Sequence, residues 1–372
     1  MADAQSISQT SLQDGHITEA EASLYDRQIR LWGLEAQNRM RSSTILLLSL
    51  RSLAHETIKN LVLAGIGRLI IMDDGQVSEE DLGSGFLFRE EDGAVGTDRT
   101  TAALPQIQSL NPLVQLSSFS TLSPFDGGLE KEDDMTVFLR REKVDIVIGC
   151  DLAQSQFTSV DRAARKADVM MYAAGSYGFY GYVFADLGAD YEFVFTPKAN
   201  KENPAPGIQK KKLSYPSFET VLAGSTWAED VEAAQGGSPF RGLTKRMTTD
   251  ANPSLVLGIL ALWEYESRQS RLPAGTDEDR SEMGQLAEAA RTRLGVNAKA
   301  VPGVDSDLLD HLASHATDFF PPTLAILGGL LAQDVLRALS RKDRPLVNLL
   351  TVDSLGGNGR VSRWAMAEAV DA

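Results

Sequence analysis

Apolar residues along this chain fall into two rhythms. Short runs such as 45–48 and 69–72 are uniformly apolar and too brief for an amphipathic helix, so they read as strands buried on both faces. Between them, apolar residues recur at spacings of three and four, the period of a helix face. The pattern predicts strands over Thr44–Leu48, 69–72, 145–148 and 169–173. It predicts helices over Ser52–Ala64, Arg99–Leu110 and 157–167. Gly65 closes the first helix as a left-handed cap, and Asn111-Pro112 stops the second. Strands alternating with helices imply an α/β architecture, a mostly parallel sheet covered on both faces. Residues 182–187 and Tyr191–Phe195 read as a later strand pair.

The flanks follow other patterns. Residues 1–17 are polar, without a periodic apolar face, and read as a disordered tail. Thr18-Glu19-Ala20-Glu21 reads as a capping box. The helix it opens carries Tyr25, Ile29, Trp32, Ala36 and Met40 on one stripe. Asp26, Arg27, Arg30, Gln37 and Arg41 take the opposite face, and Gly33 marks a bend or break. From about residue 199 the texture changes. Residues 201–216 are rich in Lys and Pro, which suggests a linker or loop, with Lys210-Lys211-Lys212 solvated in it. Helical patterns then cover 254–268 and 283–294, and the polar stretch 272–282 between them reads as mobile. A small-residue helix over 324–340 and a strand over 347–352 return to the sheet. The division is therefore 1–17 tail, 18–198 first part of the sheet domain, 199–317 inserted helical half-domain, and 318–372 its C-terminal part.

Composition narrows the function. The 372 residues carry a net charge of −15, which argues against a broad nucleic-acid or anionic-membrane surface and favours a basic partner surface. No apolar run approaches the roughly 20 residues of a membrane span, and the N-terminus lacks an apolar signal core. The single cysteine, Cys150, excludes an intrachain disulfide and a zinc-type cysteine site, and at a strand end it reads as a small apolar residue. His311 and His315 share a helix face, but HLASH lacks the Glu of a zinc protease motif, so no metal site is expected.

The stretch SLRSLAHE (49–56) holds the main puzzle. It joins a buried strand to a helix, the place where a nucleotide-binding turn would sit. Such a turn needs glycine for left-handed φ angles and for close approach to a phosphate. Here Ser49, Ser52 and Ala54 occupy those positions. Asp73 ends the second strand, where a carboxylate often meets a ribose, but without the turn it reads more readily as a solvated strand end or loop anchor. A nicotinamide dehydrogenase is a poor fit.

YDRQIRLWG (25–33) resembles the N-terminal signature of the ubiquitin-like activating enzymes. The resemblance continues through HETIKNLVLAGIGRLIIMDDGQV (55–77), SLNP (109–112), SYGFYGYVFADLG (176–188) and LAILGGLLAQDVLRALSRKDRP (324–345). It implies a Rossmann-like adenylation-type domain and ATP-dependent adenylation of a modifier's C-terminal glycine. Within the family, the length, GYVFADLG (181–188) and the lack of cysteine after Cys150 are most similar to the smaller, non-cysteine subunits of heterodimeric SUMO-activating enzymes.

Adenylating relatives carry Gly at the positions of Ser49, Ser52 and Ala54. They carry Asn and Arg at those of Gly83 and Ser84, a Lys at that of Arg99, and an Asp at that of Leu152, beside Asp151. The resemblance thus implies a pseudo-active domain that binds no cofactor or metal itself. ATP and Mg²⁺ would sit in a larger cysteine-bearing partner, which takes SUMO as a thioester. By the same resemblance, Arg27 reaches the partner-bound ATP phosphates in trans, with Arg30 a weaker second candidate. The implied compartment is the nucleus, with the cytoplasm as the other choice. Three readings stay open beside this one: the equivalent subunit for another modifier, a self-sufficient homodimeric adenylyltransferase, and a non-catalytic dimerisation module.

Overall fold

The computed structural model describes residues 18–198, 206–226, 237–367 and 369–371. Its centre is an eight-stranded sheet in the order β10-β9-β6-β5-β4-β1-β2-β3. Five neighbouring strands run parallel: β1 (Thr44–Leu48), β2 (Arg68–Met72), β3 (Gln115–Phe119), β4 (Ile146–Cys150) and β5 (Met170–Tyr177). Then β6 (Tyr180–Asp186), β9 (Leu349–Asp353) and β10 (Asn358–Ser362) continue the sheet with antiparallel pairings. Side chains alternate along β1. Ile45 and Leu47 enter the core beneath the helices Ser52–Ala64 and Pro321–Ser340. Leu46 and Leu48 enter the opposite core, which they share with Phe157, Leu257 and Trp263. Both faces are therefore covered, as uniformly apolar strands require. This bears out the α/β, mostly parallel expectation.

Strand order reverses between β1 and β4, so the segments after these two strands diverge and leave a crevice. The crevice is set from beneath by unbroken ladders, with Leu46 opposite both Ile70 and Val147.

Several expectations change. Residues 182–187 and Tyr191–Phe195 do not pair with each other. The first lies largely in β6, between β5 and β9. The second, β7, pairs with β8 (Gln209–Leu213), which β11 (Val370–Asp371) extends into a separate three-stranded sheet. The lysine triplet is thus strand and not loop. Lys210 pairs with Glu192 at 2.7 Å and Lys212 with Asp190 at 2.6 Å, so opposite charges brace neighbouring strands where no apolar alternation marks them.

The stretch 272–282 is not a mobile connection. A helix begins at Asp277 behind a Thr276 capping box. The Asp279 carboxylate accepts from the Ala274 and Thr276 N–H groups, from Arg271 and from the Tyr265 hydroxyl. The helix Pro321–Ser340 is long and apolar enough, by length and composition, to cross a membrane, although Asp334 and Arg337 interrupt its apolar run. Yet 61% of its most apolar 18-residue stretch is buried in the protein, as in a core helix.

The N-terminal helix is three: Glu19–Leu24, Asp26–Trp32 and Leu34–Arg41, broken at Tyr25 and at Gly33, where φ is +90°. The breaks turn the third helix, so Gln37 and Arg41 face inward rather than outward. Gln37 donates to the Ala64 carbonyl at 3.0 Å and accepts from the Trp32 indole at 2.9 Å. Arg41 pairs with Glu21 at 3.0 Å.

Candidate functional site

The crevice holds a cavity of about 500 Å³ lined by Ser49, Arg51, Asp73, Asp151 and the segment Leu272-Pro273-Ala274 among others. Ser49 keeps the backbone of a glycine. Its φ is +70°, a conformation that costs an L-residue roughly 1–2 kcal/mol. Two bonds hold it there. The Ser49 N–H donates to the Met72 carbonyl at 2.9 Å, and the next N–H, of Leu50, donates to the Asp73 carboxylate at 2.6 Å. Asp73 also accepts from the Gly75 N–H at 2.7 Å. A carboxylate at the ribose position is thus occupied by the turn itself. Burial raises its pKa, while these two N–H groups and Arg99 pull the other way.

Arg99, at the position of a phosphate-reaching lysine, is also engaged. It lies 3.0 Å from Asp81 and 3.6 Å from Asp73, largely buried. Ser52 shares a 2.6 Å hydrogen bond with Ser84, closing one degenerate position onto another. Ala54 is fully buried, and Gly83 has open space where a side chain would stand.

Arg51 and His55 escaped the sequence reading, and Asp151 entered it only as the neighbour of Leu152; Arg51 and Asp151 line the cavity. Asp151, at φ +51°, accepts from the Ser176 N–H at 2.9 Å, while its second carboxylate oxygen is buried without a partner. Burial lifts this carboxyl to about 6, against the pull of Ser176 and Arg51. The Arg51 guanidinium lies over the Phe319 ring, 5.5 Å from its centre. His55 is buried edge-on to Phe88, with ring centres 4.5 Å apart, and burial depresses its pKa to about 3. It is a neutral packing group, and the HE of SLRSLAHE gave no sign of that. Leu152 packs on the core that contains Phe157 and holds no charge toward the crevice. Among the described residues, no group of three or more His, Cys, Asp or Glu side chains is placed to hold a metal.

The remaining candidates separate cleanly. Cys150 is fully buried and its thiol is pushed well up by burial, which leaves it unreactive. His311 accepts from the Phe179 N–H at 3.1 Å and His315 bonds Asp318 at 2.6 Å, and the two rings are tilted by 38° with centres 4.6 Å apart. Gly328 lets its helix approach Glu56 and Thr57 closely, and Gly329 faces open space.

Arg27 lies far from this closed network in character. It is exposed on Asp26–Trp32, and no hydrogen bond or ion pair holds its guanidinium among the described residues. Arg30 is instead paired with Asp26 at 3.0 Å. The arm beneath Arg27 is fixed: Asn111 donates to the Tyr25 hydroxyl at 2.8 Å and to the Val62 carbonyl at 2.9 Å.

The ThiF family model matches residues 25–370, almost the whole of this framework. The chain belongs to the ThiF family. SUMO-activating enzyme subunit 1 of Homo sapiens is 32% identical over 358 residues, covering 93% of this chain and 96% of that protein. The protein of the same name from Xenopus tropicalis is 30% identical over 357 residues, with the same coverage. The crystal structure of selenomethionine PaaA matches with a TM-score of 0.54 at 11% identity, over 95% of this chain and 76% of that one, and speaks to the fold alone. These relatives bear out the membership expected from YDRQIRLWG. In this ThiF-family chain Asp73 and Arg99 are bound within the fold at the crevice, while one Asp151 oxygen stays without a partner.

Proposed function

We propose that this chain is the regulatory subunit of a heterodimeric SUMO-activating enzyme. The observation that carries the reading is a contrast in one molecule: a fixed arm presenting the free Arg27 guanidinium, beside a crevice whose Asp73 and Arg99 are already engaged. A larger cysteine-bearing subunit holds ATP and Mg²⁺, adenylates the C-terminal glycine of SUMO and takes it as a thioester. Arg27 enters that subunit's site and meets the β- and γ-phosphates. A planar guanidinium there neutralises charge that builds as pyrophosphate leaves and orients the nucleotide. This chain's own crevice binds neither ATP nor Mg²⁺. The complex works in the nucleus.

An outward apolar surface supports the partnership. Helices Ser52–Ala64 and Pro321–Ser340 pack side by side, and they leave Leu63, Ile326 and Leu330 exposed, with Gly329 open between the last two. Large apolar side chains exposed on two neighbouring helices favour a protein interface.

The test is ATP–pyrophosphate exchange by this chain alone, by the partner alone and by both. Exchange that needs both chains and collapses with Arg27→Ala supports the proposal. Exchange by this chain alone overturns it. Full exchange by the pair carrying Arg27→Ala leaves only a dimerisation module.

A further inference from the structure

The far edge of the large sheet offers a surface that the adenylation reading does not use. Among the described residues β10 pairs with β9 alone, so one side of it has no strand neighbour there. It contains no proline, and Val361 stands 57% exposed on it. A groove of about 360 Å³ lies alongside, with Phe240 and Val256 among its apolar lining. Thr351 and Arg360 sit opposite each other across the β9–β10 ladder and both line this groove, as does Arg363. Arg360 is exposed, and no hydrogen bond or ion pair holds it among the described residues. A cationic rim on a chain of net charge −15 runs against the molecule's general field, so it selects locally for acidic groups.

We propose that β10 and this groove bind an extended acidic segment of a partner protein by strand addition. Main-chain bonds to the open edge would supply affinity. Alternate side chains would enter the groove, one carboxylate meeting Arg360 in a bidentate pair. Two other occupants fit worse. A second copy of this chain, paired antiparallel so that all five residues of β10 match, places two Arg360 side chains directly opposite each other, and like charges there destabilise. A nucleic acid needs several phosphate contacts, and among the described residues Arg360 and Arg363 are the only cations lining this groove.

The experiment uses the full chain and three fluorescein-labelled probes: an alternating Val–Glu heptapeptide, its Val–Lys counterpart and an oligothymidine. Fluorescence anisotropy gives affinity, and amide hydrogen exchange gives location. The Val–Glu peptide should bind at least about tenfold more tightly than Val–Lys, a difference of 1.4 kcal/mol, and should slow exchange within 358–362. Arg360→Glu, on an exposed side chain, should reverse the preference between the two peptides while the thermal melt stays unchanged. Equal binding of both peptides, protection elsewhere, tighter binding of oligothymidine, or an unaltered preference in Arg360→Glu would each overturn the proposal. None of these readouts requires ATP–pyrophosphate exchange, so the two proposals fail independently.

Discussion

The turn at 49–54 and the arm at 25–33 both lie in the stretch that the ThiF family model matches, yet they treat their polar groups in opposite ways. In the turn, Leu50 and Gly75 N–H groups satisfy Asp73, Asp81 holds Arg99, and Ser52 closes on Ser84. In the arm, Tyr25, Trp32 and Gln37 are anchored while Arg27 is left unsatisfied. A group already bonded within the fold gains little from a ligand, because a new bond must replace an old one. A fixed but unsatisfied cation has most to gain. The difference supports the proposal that the nucleotide sits in another chain, without any appeal to the missing glycines.

The comparison can be tested at both ends. The largest effect belongs to Arg27→Ala, which should lower exchange by the assembled pair about 10²–10³-fold, with no change in the melting of this chain because the side chain is exposed. Next is Asp151→Asn. A carboxyl with a folded pKa near 6 and an unfolded value near 3.9 destabilises the fold once ionised. That cost is absent below about pH 4, grows as pH rises toward 6 and is constant above it. Urea midpoints should therefore show the Asn variant more stable above pH 6, by at most about 3 kcal/mol, with the advantage vanishing near pH 4. Asn111→Ala should destabilise by about 1–3 kcal/mol, since it strands the Tyr25 hydroxyl in a buried place and leaves the Val62 carbonyl with the Gly65 N–H alone. Trp32 fluorescence would report whether the arm loosens first. The smallest effect is Ser49→Gly, which should stabilise by about 0.5–1 kcal/mol through relief of its positive φ. It should not create ATP binding in equilibrium dialysis, because Arg99 and Asp73 remain engaged.

Residues with one strong reason for their state were readable in the sequence. The uniformly apolar runs of β1, β2 and β4 became the parallel centre of the sheet, and Gly65 became a left-handed cap at φ +82°. Where several weak reasons add up, the pattern failed. β3 carries two serines in five residues, and β10 is almost wholly polar, so neither shows the alternation that marks a strand. Lys210-Lys211-Lys212 looked like a loop because only a distant Glu192 and Asp190 make it a strand. At the crevice, the substitutions at Ser49, Ser52 and Ala54 pointed correctly to altered chemistry. They did not reveal that Ser49 keeps its left-handed φ, since the bonds enforcing it come from Met72 and Asp73 on the next strand.

Gly328 sets a dimension as well as a contact. A Cβ there would stand 2.5 Å from that of Glu56, about 1 Å inside ordinary carbon contact. Any side chain at 328 must lift the helix Pro321–Ser340 from Ser52–Ala64. Ile326 and Leu330 ride on the outer side of that same helix. The height of the outward apolar surface is therefore gauged from within, by a hydrogen atom where a methyl group would be, and a change no partner could touch would still misalign every partner that docks there.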